Sequence, residues 1–239
     1  MSLRTLRNTP KFAAVALFVL SAAITGLVGR TAKAGTAGSG NSAAAESGSN
    51  ARLANISTRL PVGRGDNVLI GGFIVTGNQP KKILFRGLGP TLPVVENLAD
   101  PTLELHDSKG TLVATSDNWR DSQEEELRAT QIPPRNDYEC GIVKSLAPGA
   151  YTAILAGKGG TTGVGLVEFY DLDQTADSKL ANISTRGFVN RDDNVLIGGT
   201  IVTGSGFANV LFRALGPAWA ASTVDSRIHL SNSTTARVA

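Results

Sequence analysis

The chain has 239 residues, 41% of them hydrophobic and 18% charged, a balance that belongs to a folded globular protein and excludes wholesale disorder. One cysteine excludes a disulfide-stapled miniprotein or a zinc-finger array, and two histidines exclude a His-rich metal centre. The net charge of +3 is no sign of nucleic-acid binding, because five of the 23 basic residues (Arg4, Arg7, Lys11, Arg30 and Lys33) lie in the first 34 positions, where no acid occurs. Beyond them 18 basic residues stand against 20 acidic ones, a net charge of −2.

The N-terminus reads as an export signal: a basic start, an uncharged run from Phe12 to Gly29, and Ala32-Lys33-Ala34 as a small-x-small cleavage site. Residues 1–34 are therefore expected to be a signal peptide cut after Ala34, and the protein to be secreted or on the cell surface. The competing reading is an uncleaved membrane anchor, since 18 uncharged residues reach the lower limit for a spanning helix. Residues 35–51, mostly Gly, Ser, Ala and Asn, carry too little apolar bulk to offset the entropy of ordering and predict a flexible linker.

An internal repeat organises the remainder. Residues 53–92 and 180–219 are identical at 26 of 40 positions with a constant offset of 127. That period is far longer than a solenoid unit, so each copy is expected to be a domain with its own core: copy one over 52–173, copy two over 178–239. The second copy has no counterpart to the back half of the first, so it either belongs to a truncated chain or pairs with something else. Its apolar runs 195–197 and 210–212 lack later strands to cover them, which predicts an open edge and apolar face, and with them dimerisation, swapping or poor solubility through the partial copy.

Within the complete copy, apolar residues recur with period two and the turns are rich in Gly, Pro, Asn and Asp, the pattern of antiparallel strands. Strands are predicted at 53–59, 67–75, 81–86, 102–106, 111–116, 141–145, 151–156 and 164–172. Eight short strands in one copy predict an all-β, antiparallel β-sandwich of jelly-roll-like type, with a partial second copy. Asp107-Ser108-Lys109-Gly110 predicts a hairpin turn, Gly71-Gly72 a bulge or close backbone approach, and residues 157–163 a Gly-rich hairpin. One short surface helix is predicted, opened by a Ser122/Glu125 capping box, with the acids Glu124, Glu125 and Glu126 in its first turn, and closed by Pro133-Pro134.

Two stretches, LELHDSKGTLVATSDNW (103–119) and LAPGAYTAILAGKGGTTGVGLVEFYDLD (146–173), resemble the bacterial pre-peptidase C-terminal type of β-sandwich. The LANISTR, NVLIGG and LGP elements are similar to those of a secreted bacterial repeat module, a likeness that covers nearly all of residues 51–219. The resemblance implies an accessory domain of exported proteins, appended to hydrolases or surface proteins and in some members able to bind calcium. Carried over by position, the calcium residues it implies are Asp107, Asp117 and Asn118. The alternative for the same residues is that Asp107 and Asn118 hydrogen-bond their own turns, as Asp and Asn commonly do.

No catalytic constellation is assembled by the sequence. Gly204-Ser205-Gly206 lacks a nucleophile-elbow frame, and His106 beside Asp107 is on a strand, where adjacent side chains point to opposite faces. The Gly-rich stretch at 157–163 has its lysine in the wrong place for a phosphate loop, and Gly87-Leu88-Gly89-Pro90 breaks the dinucleotide pattern. Glu104 and Glu168 alternate with apolar residues and are expected on solvent faces. Cys140 reads as a small buried hydrophobe, and Trp119 as core rather than a sugar-stacking platform. Arg59, Arg86, Arg186 and Arg213 end strands and are expected at the rim or in ion pairs with acids such as Asp66. The expected function is an exported non-catalytic module with a structural or surface-interaction role. Its partners would be further copies of the repeat or an extracellular partner, not nucleic acid, with contact to a membrane only through an uncleaved leader. The alternative is a carbohydrate- or calcium-binding accessory domain of a secreted hydrolase system.

Overall fold

The computed structural model describes residues 14–22, 50–190, 194–205, 208–215 and 234–237. The expected cleavage point after Ala34, nearly all of the 35–51 linker and the segment after 215 up to 233 lie outside the described residues. In chain order the strands are β1 (Ala14–Ala22), β2 (Arg52–Val62), β3 (Leu69–Thr76), β4 (Lys81–Leu88), β5 (Pro101–Asp107), β6 (Leu112–Ser116), β7 (Cys140–Leu146), β8 (Gly149–Gly157), β9 (Gly163–Asp171), β10 (Lys179–Val189), β11 (Ile197–Thr203), β12 (Val210–Leu215) and β13 (Thr234–Arg237). Helix α1 (Glu124–Ala129) lies between β6 and β7.

All eight strands predicted for the first copy form. They pair as one long hairpin folded over on itself: β2 with β9, β3 with β8, β4 with β7 and β5 with β6, all antiparallel. The result is two facing layers, β3-β8-β5-β6 and β2-β9-β4-β7, which is the jelly-roll arrangement of an all-β sandwich. Period-two burial along β3 turns Leu69, Gly71, Phe73 and Val75 inward. Phe73 sits at the centre of the core, 4.9 Å from the Phe169 ring, 5.3 Å from Phe85 and 5.5 Å from Tyr151. Gly71-Gly72 makes no bulge; a Cβ on Gly71 would stand 3.1 Å from Phe169 Cζ, so the glycine admits the ring of the opposite sheet.

The two copies do not form separate domains. Each copy's first strand pairs with the other copy's second strand: β2 with β11, and β10 with β3. The registers are equivalent, Ile197 facing Arg59 as Ile70 faces Arg186, with a bulge in both at Ala54 and Ala181. β2 and β10 then face each other across the sandwich, where Thr58 Oγ1 and Thr185 Oγ1, 127 positions apart and both fully buried, meet at 2.8 Å. The sheets thereby extend to β12-β1-β10-β3-β8-β5-β6 and β13-β11-β2-β9-β4-β7. The half-copy is accordingly less open than the sequence suggests: Leu196 and Phe212 are buried in the same core as Phe73, because the first copy's strands and β1 supply the missing neighbours.

Two local expectations change. The segment between β8 and β9 is no hairpin, since those strands lie in different sheets; it is an arch across the sandwich, with Gly159 and Gly160 at φ of 61° and 76°. Helix α1 starts on Gln123, not on a Ser122/Glu125 capping box. The Gln123 amide reaches across to β7, donating to the Val143 carbonyl at 2.9 Å and accepting from the Val143 N–H at 3.0 Å. This docks the helix on the outer face of the β4/β7 layer, where Leu127, Trp119, Leu84 and Val143 form a second buried cluster.

Candidate functional site

The three residues implied as calcium ligands fall into two places. Asp107 ends β5, and its Oδ1 accepts the backbone N–H of Lys109 at 2.8 Å and of Thr111 at 2.9 Å. Those two hydrogen bonds hold its carboxyl below the usual carboxylate range, and they commit it to the turn. Asp117 and Asn118 lie at the opposite end of the β5–β6 hairpin, about 15 Å away at the rise of a strand. No single ion can be held by all three.

Around Asp117 a small acidic corner is built. Lys158 Nζ, on the arch, donates to Asp117 Oδ2 at 2.6 Å, and Asn118 Nδ2 donates to Asp121 Oδ2 at 3.1 Å. The hydrogen bond to Asp117 raises the Lys158 pKa against the lowering from desolvation, with further support from the charges of Asp117, Asp100 and Asp121. Oδ1 of Asp100, of Asp117 and of Asn118 are buried without a hydrogen-bond partner among the described residues. The ammonium of Lys158 supplies the positive charge of this corner. Among the described residues no group of three or more His, Cys, Asp or Glu is arranged to hold a metal ion.

The candidate catalytic groups are all engaged otherwise. His106 is oriented not by Asp107 but by Glu104, two residues back on the same strand face, with Nε2 2.9 Å from Glu104 Oε2 and Nδ1 3.2 Å from the Gly110 carbonyl. Both partners are acceptors, so both ring nitrogens donate and the imidazolium is favoured; the Glu104 hydrogen bond raises the pKa. Cys140 is fully buried and its Sγ donates to the Pro101 carbonyl at 2.9 Å. Burial pushes its thiol well up, away from the reactive thiolate. Trp119 is buried, with the Arg120 and Arg128 guanidiniums 4.5 and 5.3 Å from its ring centre, so its face is not offered to a sugar.

Glu168 is not on a solvent face. The carboxylate is buried between Arg86 and Tyr170 and takes Arg86 as its counter-ion, with Nε donating to Oε2 at 2.8 Å and Tyr170 Oη donating to Oε1 at 3.2 Å. Arg86 further donates to the Ile132 carbonyl at 2.9 Å and to Tyr170 Oη at 3.0 Å, and burial lifts the Tyr170 phenol to about 12. Lys81, fully buried, pairs with Asp171 at 3.1 Å and also donates to the Asp173 carbonyl. Arg86 is thus paired as the sequence suggests, but with Glu168 instead of Asp66.

One buried acid carries no sequence signal at all. Glu139 is fully buried, and its Oε1 accepts from Thr91 N–H at 3.1 Å and Thr91 Oγ1 at 2.5 Å, its Oε2 from Arg135 and Asn136 N–H at 3.3 Å. It ties the LGP turn after β4 to the loop before β7. Beside it is a cavity of about 200 Å³ lined by Arg86, Leu88, Thr91, Pro134 and Arg135. Both carboxylate oxygens accept hydrogen bonds from these two loops, so the acid ties them together.

What the described residues do offer is strand edges and seams. The contact between copies is built from backbone hydrogen bonds over seven register positions on each side, closed by Thr200 Oγ1 donating to the Asn55 carbonyl at 2.9 Å. No described helix is long and apolar enough to cross a membrane. Comparison with models of known families, with curated proteins and with solved structures found no match.

Proposed function

We propose that this chain is an exported, non-catalytic structural module whose repeat copies hold one another by exchanging strands. The observation that carries the reading is the reciprocal pairing of β2 with β11 and β10 with β3 in equivalent registers. Such pairing joins copies through main-chain hydrogen bonds and asks only that the LANISTR and NVLIGG strands recur, which suits an array of repeats. The paired or buried state of His106, Cys140, Glu139 and Glu168 supports a role without turnover. Residues 52–177 and 178–239, produced as two separately tagged chains in one cell, are expected to purify together at one to one. Recovery of the two as independent species would remove the reading. Export is tested by the N-terminal sequence of protein collected outside the cell, which should begin at Gly35.

A second reading, a calcium-binding accessory domain, has the three buried Oδ1 atoms of Asp100, Asp117 and Asn118 in its favour. Calcium there would displace the Lys158 ammonium. The reading requires the melting temperature to rise with millimolar calcium and to fall with chelator, as for any ligand bound only by the native state.

A further inference from the structure

In the first copy the closing strand β9 lies between β2 and β4. The counterparts of β2 and β4 in the second copy are β10 and β12, and the strand between them is β1. Its register is the same on both sides. Phe169 faces Ile56 and Phe85, and Leu20 faces Ile183 and Phe212, each 127 positions further on. Glu168 faces Ser57 and Arg86; Val19 faces Ser184 and Arg213.

The two occupants also share a residue pattern. AVALFVLSA of β1 and GVGLVEFYD of β9 both begin small-Val-small-Leu and are apolar at Leu20 and Phe169. They part company where β9 is charged: Val19 replaces Glu168 and Ala22 replaces Asp171. Arg213 nonetheless repeats Arg86, the residue whose partner in the first copy is Glu168. The gap keeps a basic residue for an acid that β1 lacks.

We propose that the gap between β10 and β12 is a strand-acceptor site whose partner is a β9-type closing strand presented by another chain of the same repeat, and that Ala14–Ala22 fill it from within the chain. The proposal rests on the reading of the module as a strand exchanger and names the partner. Two antiparallel edges one strand apart expose rows of N–H and C=O groups that a central strand must satisfy. Cleavage after Ala34, the expected fate of the leader, takes β1 away and opens both edges. The segment that directs export thus keeps the site closed until the chain is processed.

The test uses the full chain and a labelled peptide of residues 161–173, TTGVGLVEFYDLD. The double variant Leu17→Pro with Val19→Pro strips donors from β1 and vacates the gap. It is expected to bind the peptide at least about a hundredfold more tightly than the wild-type chain, where β1 competes. Backbone amides of β10 and β12 should exchange about a hundredfold faster in the variant and recover when peptide is added. A peptide carrying Glu168→Val should bind about tenfold more weakly, a loss that disappears in the Arg213→Ala chain. Unchanged exchange, or no binding by the proline variant, overturns the site; equal binding of the two peptides overturns the choice of partner. Independently of how the proline variant folds, Val19→Cys with Ser184→Cys should cross-link under oxidation, because facing antiparallel residues stand within disulfide reach. Failure of that cross-link also overturns the site. Loss of peptide binding with the two copies still purifying together removes the acceptor site and leaves the proposed function; separation of the copies removes both.

Discussion

Leu60 and Gly187 hold the same place in the two copies, yet one carries a full aliphatic side chain and the other none. A Cβ on Gly187 would stand far inside van der Waals contact with Leu60 Cδ1, so the larger residue fills the space that the smaller one leaves. The copies differ in size at other places too: Phe73 of the first copy is Thr200 in the second, and Lys81 is Ala208. Two equal strands facing each other across a sandwich cannot both be large where they meet. The first copy supplies the packed centre; the second is shaped to close over it.

Putting the second copy's residue into the first should therefore cost stability in proportion to what the first copy carries at that place. The largest effect is expected for Phe73→Thr, which removes a ring packed on Phe85, Phe169 and Tyr151. A loss of about 5 kcal/mol in denaturant-induced unfolding is expected, the upper end for a buried Phe truncation. A loss under about 1 kcal/mol would mean that the aromatic centre is not where the first copy keeps its stability.

Next in size is Lys81→Ala, which leaves Asp171 buried without its counter-ion; about 4 kcal/mol should be lost. In the β1 register Ala22 stands where Asp171 stands in β9, and Ala208 holds the place of Lys81, so the ion pair has no equivalent at that position. The double variant Lys81→Ala with Asp171→Ala should accordingly recover part of the loss. A double variant as unstable as the sum of the two single ones would show that the two residues do not act as a pair.

Gly187→Leu restores the first copy's residue and overfills the seam, at a cost of about 3 kcal/mol. Adding Leu60→Gly exchanges the two residues across the seam and should return the chain towards wild-type stability. If the exchanged pair is no better than either single change, the complementary fit of the copies is wrong.

The strands and their facing were legible because alternation is a local signal: along β3 the structure buries every second residue, Leu69, Gly71, Phe73 and Val75. Which strand pairs with which was not legible at the seam. LANISTR and NVLIGG are identical in both copies, so pairing within a copy and pairing between copies satisfy the same side-chain pattern and the same register. The length of the period, 127 residues, speaks for a separate core in each copy and carries no information on which copy's strand is the neighbour. Glu168 is enclosed, not solvent-facing, because Arg86 of the neighbouring strand covers it and is itself held by the Ile132 carbonyl of a distant loop, a tertiary event with no periodicity of its own. Glu139 was missed because a lone acid among polar loop residues carries no pattern; only the fold brings Thr91 and Asn136 to it. Of the implied calcium residues, Asp117 and Asn118 are neighbours in space because they are neighbours in sequence, whereas Asp107 was linked to them by motif order alone.

The smallest expected effect separates the seam from the far end of the same sheet. His106 lies on β5, next to the edge strand β6, while β10, β1 and β12 occupy the opposite end. Its folded pKa is raised by Glu104, so the stabilisation from this contact is fully present below the unfolded value of about 6.5 and fades as pH rises through the folded one. Glu104→Gln should therefore destabilise the chain by under about 1 kcal/mol near pH 5.5 and by nothing measurable above pH 8, as befits an exposed pair. Exchange of the β10 and β12 amides should not change with this substitution at either pH. A pH-dependent change in those amides would mean that the hairpin end and the seam are coupled through the sheet, and the two ends could no longer be treated as independent parts of the module.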